Sequence, residues 1–338
     1  MPKALLSNVI QFLRGGKRGR GLAVSAILTQ QRRAYQQAAL ITKGFYIFLF
    51  FISFNQVLST QANWQNPETI VPLWPLAWIN WVEPLAALRF LMLGTLFGFI
   101  VGIYFIEWRW ARVIIFLFFF QLSAFANSFG KINHNLHGLI IISLILMLLP
   151  NGRWASRGNL ISWRHRFLTL FASAQIFFMF FYTMSGLWKI YAGLLQVMRG
   201  DLYHTFHPYA LAQHVAFRLI QTNSQSLLGD LMIDYPLLGT LPFFLVLYLE
   251  IFAVVAAFRP TLHRLWGILM IGFHVGTFLT MTINFNINIV LLGFFLLLSP
   301  FQPKAVRLQE ILSDLPIVAL AFRWRTGPTP ASKPKLAP

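Results

Sequence analysis

Cysteine is absent from the 338 residues of this chain. Its absence excludes structural disulfides, zinc and iron–sulfur sites held by cysteine, and redox pairs of the CxxC type. Acidic residues are also scarce, with nine Asp and Glu against 27 Lys and Arg and a formal net charge of +18. Charged residues of both signs make up 11% of the chain, whereas about 25% is usual in soluble domains. The composition is not that of an ordinary soluble protein.

Apolar residues take the place of the missing charges: 57% of the chain is hydrophobic, 16% is aromatic, and the mean hydropathy is +0.64. Several apolar runs approach the roughly 20 residues with which a helix crosses a bilayer. We therefore predict an all-α fold, a polytopic transmembrane helical bundle of about eight spans. The predicted spans are 39–58, 86–106, 111–129, 136–149, 167–191, 236–258, 262–283 and 287–298.

The basic residues lie between the apolar runs instead of forming one basic surface. This pattern is typical of topology signals and argues against a nucleic-acid partner. With the N-terminus in the cytoplasm, the cytoplasmic segments hold 21 Lys and Arg and the opposite segments hold four. We therefore predict a multi-pass protein of the plasma membrane with both termini in the cytoplasm and the lipid bilayer as its surroundings. No particular protein partner is predicted.

Three regions follow from this topology. Residues 1–35 form a basic cytoplasmic N-terminal segment, 36–302 the transmembrane domain, and 303–338 a cytoplasmic tail that is Pro-rich at its end. The run ALLSNVIQFL (4–13) has the apolar spacing of an amphipathic surface helix. An arginine-rich, acid-free start also fits an organelle transit peptide, but we favour a topology signal because the first span follows at once.

Two further patterns concern the position of one loop relative to the bilayer and the packing of helices. Tryptophan is frequent between the first two predicted spans, which predicts a loop along the outer interface. Glycines recur at a spacing of four in the second and seventh predicted spans, at Gly94, Gly98 and Gly102 and at Gly272 and Gly276. Small residues at this spacing let helices approach closely. We favour packing within the bundle over dimerisation.

The most informative polar residue stands in the stretch FYTMSGLWKIYAGL (181–194). Here Lys189 follows the small pair Ser185 and Gly186 at the end of a long apolar run. One interpretation is a snorkelling anchor that extends to the lipid headgroups. The other is a buried lysine. Burial favours the neutral amine, which can accept a proton, so Lys189 would suit a general base for weakly acidic hydroxyls.

Three other ionisable residues lie in or beside apolar runs: His134 in KINHNLHG, Glu250 in VLYLEIFAV and His274 in GFHVG. Such residues usually face a cavity or a partner. Each also has a structural interpretation. His134 would be a satisfied loop histidine, Glu250 a member of a buried ion pair, and His274 a donor or acceptor between helices. The polar set Asn284, Asn286 and Asn288 is read as a turn at the outer mouth.

The segment between the fifth and sixth predicted spans contains Asp201, His204, His207 and His214. The spacing D-x-x-H-x-x-H would place a metal-binding set on one face of a helix. Pro208 interrupts that helix, so we favour a partly helical interfacial segment and predict no metal site.

The order of these features resembles the transmembrane part of the vitamin K-dependent gamma-glutamyl carboxylases and their bacterial relatives, the HTTM family. INHNL places His134 on a functionally important histidine of that family. SGLWKI places Lys189 on its proposed base, Glu250 falls on an in-span acid, and GFHVGTF holds the Phe-His pair of His274. The resemblance covers roughly residues 35–302. It implies that Lys189, His134 and His274 are catalytic and that Glu250 and Asn133 contact the cofactor.

In those enzymes the lysine is thought to deprotonate a reduced quinone, vitamin K, whose reaction with oxygen yields the strong base for carboxylation. Trp188 replaces the first of the paired lysines. We also expect no counterpart of the large lumenal substrate domain of those enzymes. We therefore expect an HTTM-like protein that handles a lipophilic quinol, with His134, Lys189 and His274 around one cavity. The alternatives are a non-enzymatic membrane scaffold or transporter component and, more distantly, a histidine-ligated haem protein.

Overall fold

The apolar runs form helices wherever the chain is described. A computed structural model describes residues 17–63, 70–130 and 134–318, and these residues form helices and turns with no β-strand. The predicted all-α fold class is confirmed. The α-helices are α1 Lys17–Asn63, α2 Pro84–Tyr104, α3 Arg109–Ala126, α4 His137–Met147, α5 Trp154–Arg157, α6 Ile161–Arg199, α7 Ala210–Thr222, α8 Leu227–Asp234, α9 Thr240–Ile251, α10 Ala253–Ala257, α11 His263–Met281, α12 Asn286–Leu292 and α13 Leu308–Asp314.

Five helical segments in the described ranges are long and apolar enough to cross a membrane. They are Leu28–Ser59, Leu85–Tyr104, Arg109–Ala126, Ile161–Arg199 and Pro260–Met281. A sixth arises if Leu227–Asp234 and Pro236–Ile251 are taken together, although this pair is bent by 111°. The predicted fourth and eighth spans are the shorter apolar segments His134–Met147 and Asn286–Leu297. The total of about eight spans and the side of the termini stay predictions.

Helix α6 is the element around which the bundle packs. It contacts α1, α4, α9 and α10. Its buried side chains recur at three- and four-residue spacings, as at Phe167, Phe171 and Phe178, which puts them on one side of the helix. Phe171 stacks on Phe295, with 5.2 Å between ring centroids. The helix ends where Gly200 adopts a left-handed conformation (φ +76°), as glycine readily does.

The glycines of α2 confirm the prediction of internal packing. A Cβ atom at Gly102 would lie 2.6 Å from the buried side chain of Ile115 on α3. Gly94 and Gly98 face Phe118 of the same helix in the same way. On α11 the prediction is wrong: a Cβ at Gly272 or at Gly276 meets no described atom within 4 Å. The same motif therefore serves packing in one helix and not in the other.

The loop between α1 and α2 forms an apolar 3₁₀ helix, Trp74–Trp81, in its described part. Leu76 and Ile79 are buried against the bundle, whereas Trp74 and Trp81 are exposed. The indole N–H of Trp78 donates to the side-chain oxygen of Gln121 on α3, 2.9 Å away. The loop thus lies along one end of the bundle, with tryptophans on its outer side.

The bundle end at the α2–α3 turn is held by a buried arginine without a carboxylate. Arg112 donates to the carbonyl oxygen of Ile106, 2.7 Å away, and to that of Leu149. Its guanidinium also lies over the ring of Trp154, 5.8 Å from the centroid. Helix C-termini leave carbonyl groups without partners, and Arg112 satisfies those that follow α2 and α4.

The ends of the described chain differ in detail from the sequence prediction. Helix α1 runs through the predicted boundary at 35/36 without a break, and the predicted surface helix 4–13 lies outside the described residues. The first part of the predicted tail is packed: the hydroxyl of Tyr248 donates to the carbonyl oxygen of Pro316 at 2.8 Å, and Thr261 binds Asp314. The Pro-rich end also lies outside the described residues.

The two glycine environments give a matched test. We expect Gly102→Ala to destabilise the protein by about 1–3 kcal/mol, because the added methyl group overlaps Ile115. Gly272→Ala, in open space within α11, should be neutral or stabilising by up to about 1 kcal/mol, because alanine favours helix. The measurement is the thermal unfolding midpoint of the purified protein in detergent. Equal shifts in the two variants would contradict the packing assignment.

Candidate functional site

Lys189 and Glu250 form a two-pronged ion pair between α6 and α9. The amine of Lys189 lies 2.6 Å from Oε1 and 2.5 Å from Oε2 of Glu250. The side chain of Glu250 is 4% exposed and that of Lys189 is 35% exposed. A buried carboxylate needs a partner, and here both its oxygens share one. Lys189 therefore reaches an acid inside the protein, and the buried pair allowed for Glu250 is present.

The small pair before Lys189 is what lets the two helices meet. A Cβ atom at Gly186 would lie 2.8 Å from the backbone nitrogen of Ile251 and 3.0 Å from Cβ of Glu250. The hydroxyl of Ser185 reaches Oε1 of Glu250 at 3.4 Å. Lys189 stands one helical turn further along α6 and so faces the same carboxylate.

The helix that faces Gly186 is interrupted at this point. Helix α9 ends at Ile251 and α10 begins at Ala253, with Phe252 between them. The N–H of Val254, just past this break, donates to the hydroxyl of Thr183 on α6 at 3.0 Å. A polar side chain that accepts a freed backbone N–H is the usual way in which a broken helix is stabilised in an apolar setting. The stretch 183–189 thus supports the break and the ion pair together.

A second polar pair joins α6 to α11. The hydroxyl of Tyr182 lies 2.7 Å from Nε2 of His274. His274 is 2% exposed, and its other ring nitrogen, Nδ1, is buried with no hydrogen-bond partner in the described structure. The interhelical hydrogen bond allowed for His274 is therefore present. It leaves one ring nitrogen free.

Phe273 connects the two pairs. The amine of Lys189 lies 6.0 Å from the centroid of its ring, within the range of a cation–π contact. The same ring lies 4.8 Å from that of His274, its neighbour in the chain. An ion pair and a tyrosine–histidine pair thus lie on either side of one aromatic ring.

A polar cleft opens next to this group. It has a volume of about 280 Å³ and is lined by Asn135 and by the segment Asn284–Asn288. Phe285 in its wall lies 4.8 Å from the ring of His274. The predicted turn is present, since Oδ1 of Asn284 accepts the N–H of Asn286 at 2.9 Å just where α12 begins. The cleft and His274 are separated by the Phe285 ring.

His134 does not join the other predicted residues. It is exposed, and its Nδ1 lies 3.4 Å from Nδ1 of His137. No described contact links it to Lys189 or to His274. Its neighbour Asn135 lines the polar cleft, so this segment borders the site on the far side of Phe285. Asn133 lies outside the described residues.

The histidine-rich segment does not form the helix that a metal site would need. Residues 201–208 are turns, and α7 begins only at Ala210. Within the described ranges, no group of three or more His, Cys, Asp or Glu is placed to hold a metal ion. His214 on α7 is exposed. Partial desolvation by the side chains around it lowers the pKa of its imidazole, and the positive charge of Lys189 lowers it further.

Tyr182 is the residue that the sequence analysis missed. It stands seven positions before Lys189, which is two helical turns, so both side chains lie on the same side of α6. That spacing was visible in the sequence. The choice of His274 as its partner was not, since it depends on how α11 packs against α6.

The chain matches no family model, and neither the curated proteins nor the solved structures include one significantly similar to it. The resemblance to the HTTM family therefore depends on the motifs quoted above.

Removing one member of the ion pair should lower the free energy of unfolding, because the other charge is then left buried without a partner. We expect Lys189→Met to destabilise the protein by about 3–5 kcal/mol, because Glu250 then lacks a partner. The double variant Lys189→Met/Glu250→Leu should recover most of this loss, because no buried charge remains. Thermal unfolding in detergent measures both, with Lys304→Met as the exposed lysine control. A double variant no more stable than the single one would contradict the pair's assignment.

Proposed function

We propose that this chain is an integral membrane protein that binds a lipophilic, quinol-like molecule and removes a proton from its hydroxyl group. The observation that carries the proposal is the pairing of Lys189 with Glu250 beside the pair of Tyr182 with His274. Ionisable groups gathered inside an apolar helical bundle are typical of functional sites. The HTTM-like motifs support the same chemistry for three of these residues.

Lys189 is the proposed base. In the ion pair it is an ammonium, and transfer of one proton to the Glu250 carboxylate gives a neutral amine and a carboxylic acid. The amine then accepts the proton of the quinol hydroxyl, which leaves an ammonium, a carboxylic acid and a quinol anion. The hydrogen-bonding distances of 2.5 and 2.6 Å permit the first transfer directly.

His274 is the proposed partner of the resulting anion. When the Tyr182 hydroxyl donates to Nε2, neutral imidazole carries its proton on Nδ1. Nδ1 is the buried nitrogen without a partner, so it is free to donate to an oxygen of the bound molecule. A donor held in place where negative charge develops stabilises that charge. His134 is then the neighbour in the chain of Asn135, which lines the access cleft, and is not a residue of the reacting centre.

The cleft next to Phe285 supplies the proposed route. Asparagine side chains would bind the polar end of the molecule, and movement of the Phe285 ring would open the way to His274. The proposal covers the quinol-handling step that the HTTM resemblance suggests. Carboxylation of a docked protein is not part of it.

A non-enzymatic scaffold is the second candidate, and one observation favours it. The ion pair, the Gly186 contact and the Thr183 hydrogen bond together stabilise the break between α9 and α10. The same geometry would serve a purely structural role. Solvent extraction of the purified protein separates the two candidates, because only the first requires a bound quinone or quinol.

For the setting of the site, we propose a multi-pass protein of the plasma membrane with both termini in the cytoplasm. The asymmetry of basic residues supports this orientation. It places the α2–α3 turn and α5 at the cytoplasmic end, and Lys189 in the outer half of the bilayer.

Reporter fusions test the orientation. A reporter active only in the cytoplasm should give a signal after Lys304 and within residues 152–164, because both lie on the basic side. The reporter should be silent within residues 60–80. The measurement is reporter activity at matched protein abundance. A signal from the tryptophan-rich loop would reverse the orientation and move the site to the cytoplasmic half.

Two substitutions at Lys189 test the base. Lys189→Arg keeps a positive charge that Glu250 can bind, but guanidinium stays protonated and cannot act as a base. Lys189→Met removes the charge. We expect both variants to lose quinol turnover by about 10²–10⁴-fold, the usual contribution of a general base. Turnover, or growth rescue of a deletion strain, is measured at matched membrane abundance.

The arginine variant decides between the candidates. A structural pair predicts that Lys189→Arg keeps both stability and function, because arginine binds a carboxylate at least as well as lysine does. A base predicts a stable but inactive protein. Full function in Lys189→Arg would remove the lysine from the mechanism.

A further inference from the structure

A second pocket lies at the bundle end that Arg112 holds together. It has a volume of about 360 Å³, lies between α1, the C-terminal end of α2 and the start of α5, and shares no residue with the Lys189 site. The lining residues that carry the argument are Lys43, Tyr46, Tyr104, Glu107, Trp108 and Arg153. The pocket is open on one side, toward the outer surface of α1 and α2.

The acid in this pocket is already satisfied. Oε1 of Glu107 lies 2.9 Å from the amine of Lys43, and Oε2 accepts the backbone N–H of Trp154 at 3.0 Å. Glu107 is therefore a poor partner for a further cation. Its charge offsets that of Lys43, and this leaves Arg153 as the uncompensated charge of the pocket.

Arg153 is an exposed cation without a protein partner. Neither of the two ion pairs in the described ranges involves it, and its guanidinium makes no side-chain hydrogen bond there. The amine of Lys43 is partly exposed and keeps donors free beside its bond to Glu107. Two positively charged hydrogen-bond donors, Lys43 and Arg153, thus face the pocket. Together with Glu107, they give its lining a formal charge of +1.

A buried hydroxyl gives an independent sign of an absent partner. Tyr46 lines the pocket and is fully buried, yet its hydroxyl has no hydrogen-bond partner in the described structure. Buried polar groups are nearly always hydrogen-bonded, so this one calls for an explanation. The hydroxyl has no accessible surface in the described structure, so an oxygen atom of a ligand would accept its hydrogen bond after a shift of the covering side chains.

The open side of the pocket is apolar. Ile47 on α1 is half exposed and Tyr104 on α2 is 82% exposed. Both side chains are large and mostly apolar. Trp108 is partly exposed at the same end. Aromatic residues of this kind lie at the headgroup layer of a bilayer, and aliphatic ones beside them contact acyl chains. A ligand with a charged head and apolar tails fits both parts of the pocket.

We infer that this pocket binds the phosphate of an anionic phospholipid, with its acyl chains along the exposed faces of α1 and α2. Arg153 and Lys43 bind the phosphate oxygens, and Tyr46 completes the headgroup contacts. Basic pockets between helices recognise anionic headgroups in this way. A zwitterionic lipid is less suited, because its ammonium group would find Glu107 already paired.

The test uses the full chain purified in detergent. The thermal unfolding midpoint is measured against increasing phosphatidylglycerol, phosphatidylcholine or inorganic phosphate, and native mass spectrometry counts bound lipid. We expect phosphatidylglycerol to raise the midpoint with a saturable dependence. Arg153→Gln should weaken the apparent affinity roughly tenfold, because a charge-assisted hydrogen bond is lost. The affinity of Arg153→Lys for phosphatidylglycerol should lie between that of the unaltered protein and that of Arg153→Gln.

Arg157→Gln is the matched control, because Arg157 is an exposed arginine at the end of α5, the short helix that Arg153 precedes, and does not line the pocket. It should bind phosphatidylglycerol as the unaltered protein does. The guanidinium of Arg153 makes no hydrogen bond or ion pair within the described residues, so its variants should purify normally.

Three results would overturn the inference. Equal affinity in Arg153→Gln would show that the pocket is not the binding site. Equal stabilisation by phosphatidylcholine would remove the preference for an anionic lipid. Equal stabilisation by inorganic phosphate, lost in Arg153→Gln, would make free phosphate the ligand instead of a lipid.

Discussion

A single buried carboxylate, that of Glu250, constrains the centre of this protein. A charge with so little exposure is tolerated only when its partner is held close and its oxygens are satisfied. Lys189 meets that requirement through both oxygens, and it can do so because Gly186 lets α6 approach the end of α9. The break between α9 and α10 lies at the same place, so the helix path and the ion pair depend on each other.

This dependence links structure to chemistry. The ion pair of Lys189 and Glu250 joins two helices of the bundle, and the proposed function uses the same pair to take a proton from a bound molecule. The adjacent pair of Tyr182 and His274 has a different character, since one nitrogen of His274 is left without a partner. The free nitrogen is the hydrogen-bond donor that the proposed ligand-handling role requires.

The scarcity of acid explains how the basic residues are accommodated. With nine carboxylates in the chain, most cations must be stabilised in another way. Arg112 and Arg164 are buried, and both donate to backbone carbonyl oxygens near helix ends. Helix C-termini carry partial negative charge, so they serve as partners for arginine. Arg153 has no such partner among the described residues, and this is why an external anion suits the pocket beside it.

Composition and periodicity determined a good part of this protein. The lack of charge and the long apolar runs were enough for the all-α class, and each predicted span coincides with helical structure because a run of apolar side chains has to pair its backbone within the helix. The polar residues of the site were also visible, since an ionisable residue in an apolar run stands out. Their partners were not. Three outcomes depended on how helices far apart in sequence approach one another. Lys189 contacts Glu250 instead of lipid, and Gly102 packs against a neighbour whereas Gly272 does not. His134 does not reach His274. A sequence records which side chains share a face of one helix, but only the packing of several helices decides which faces meet.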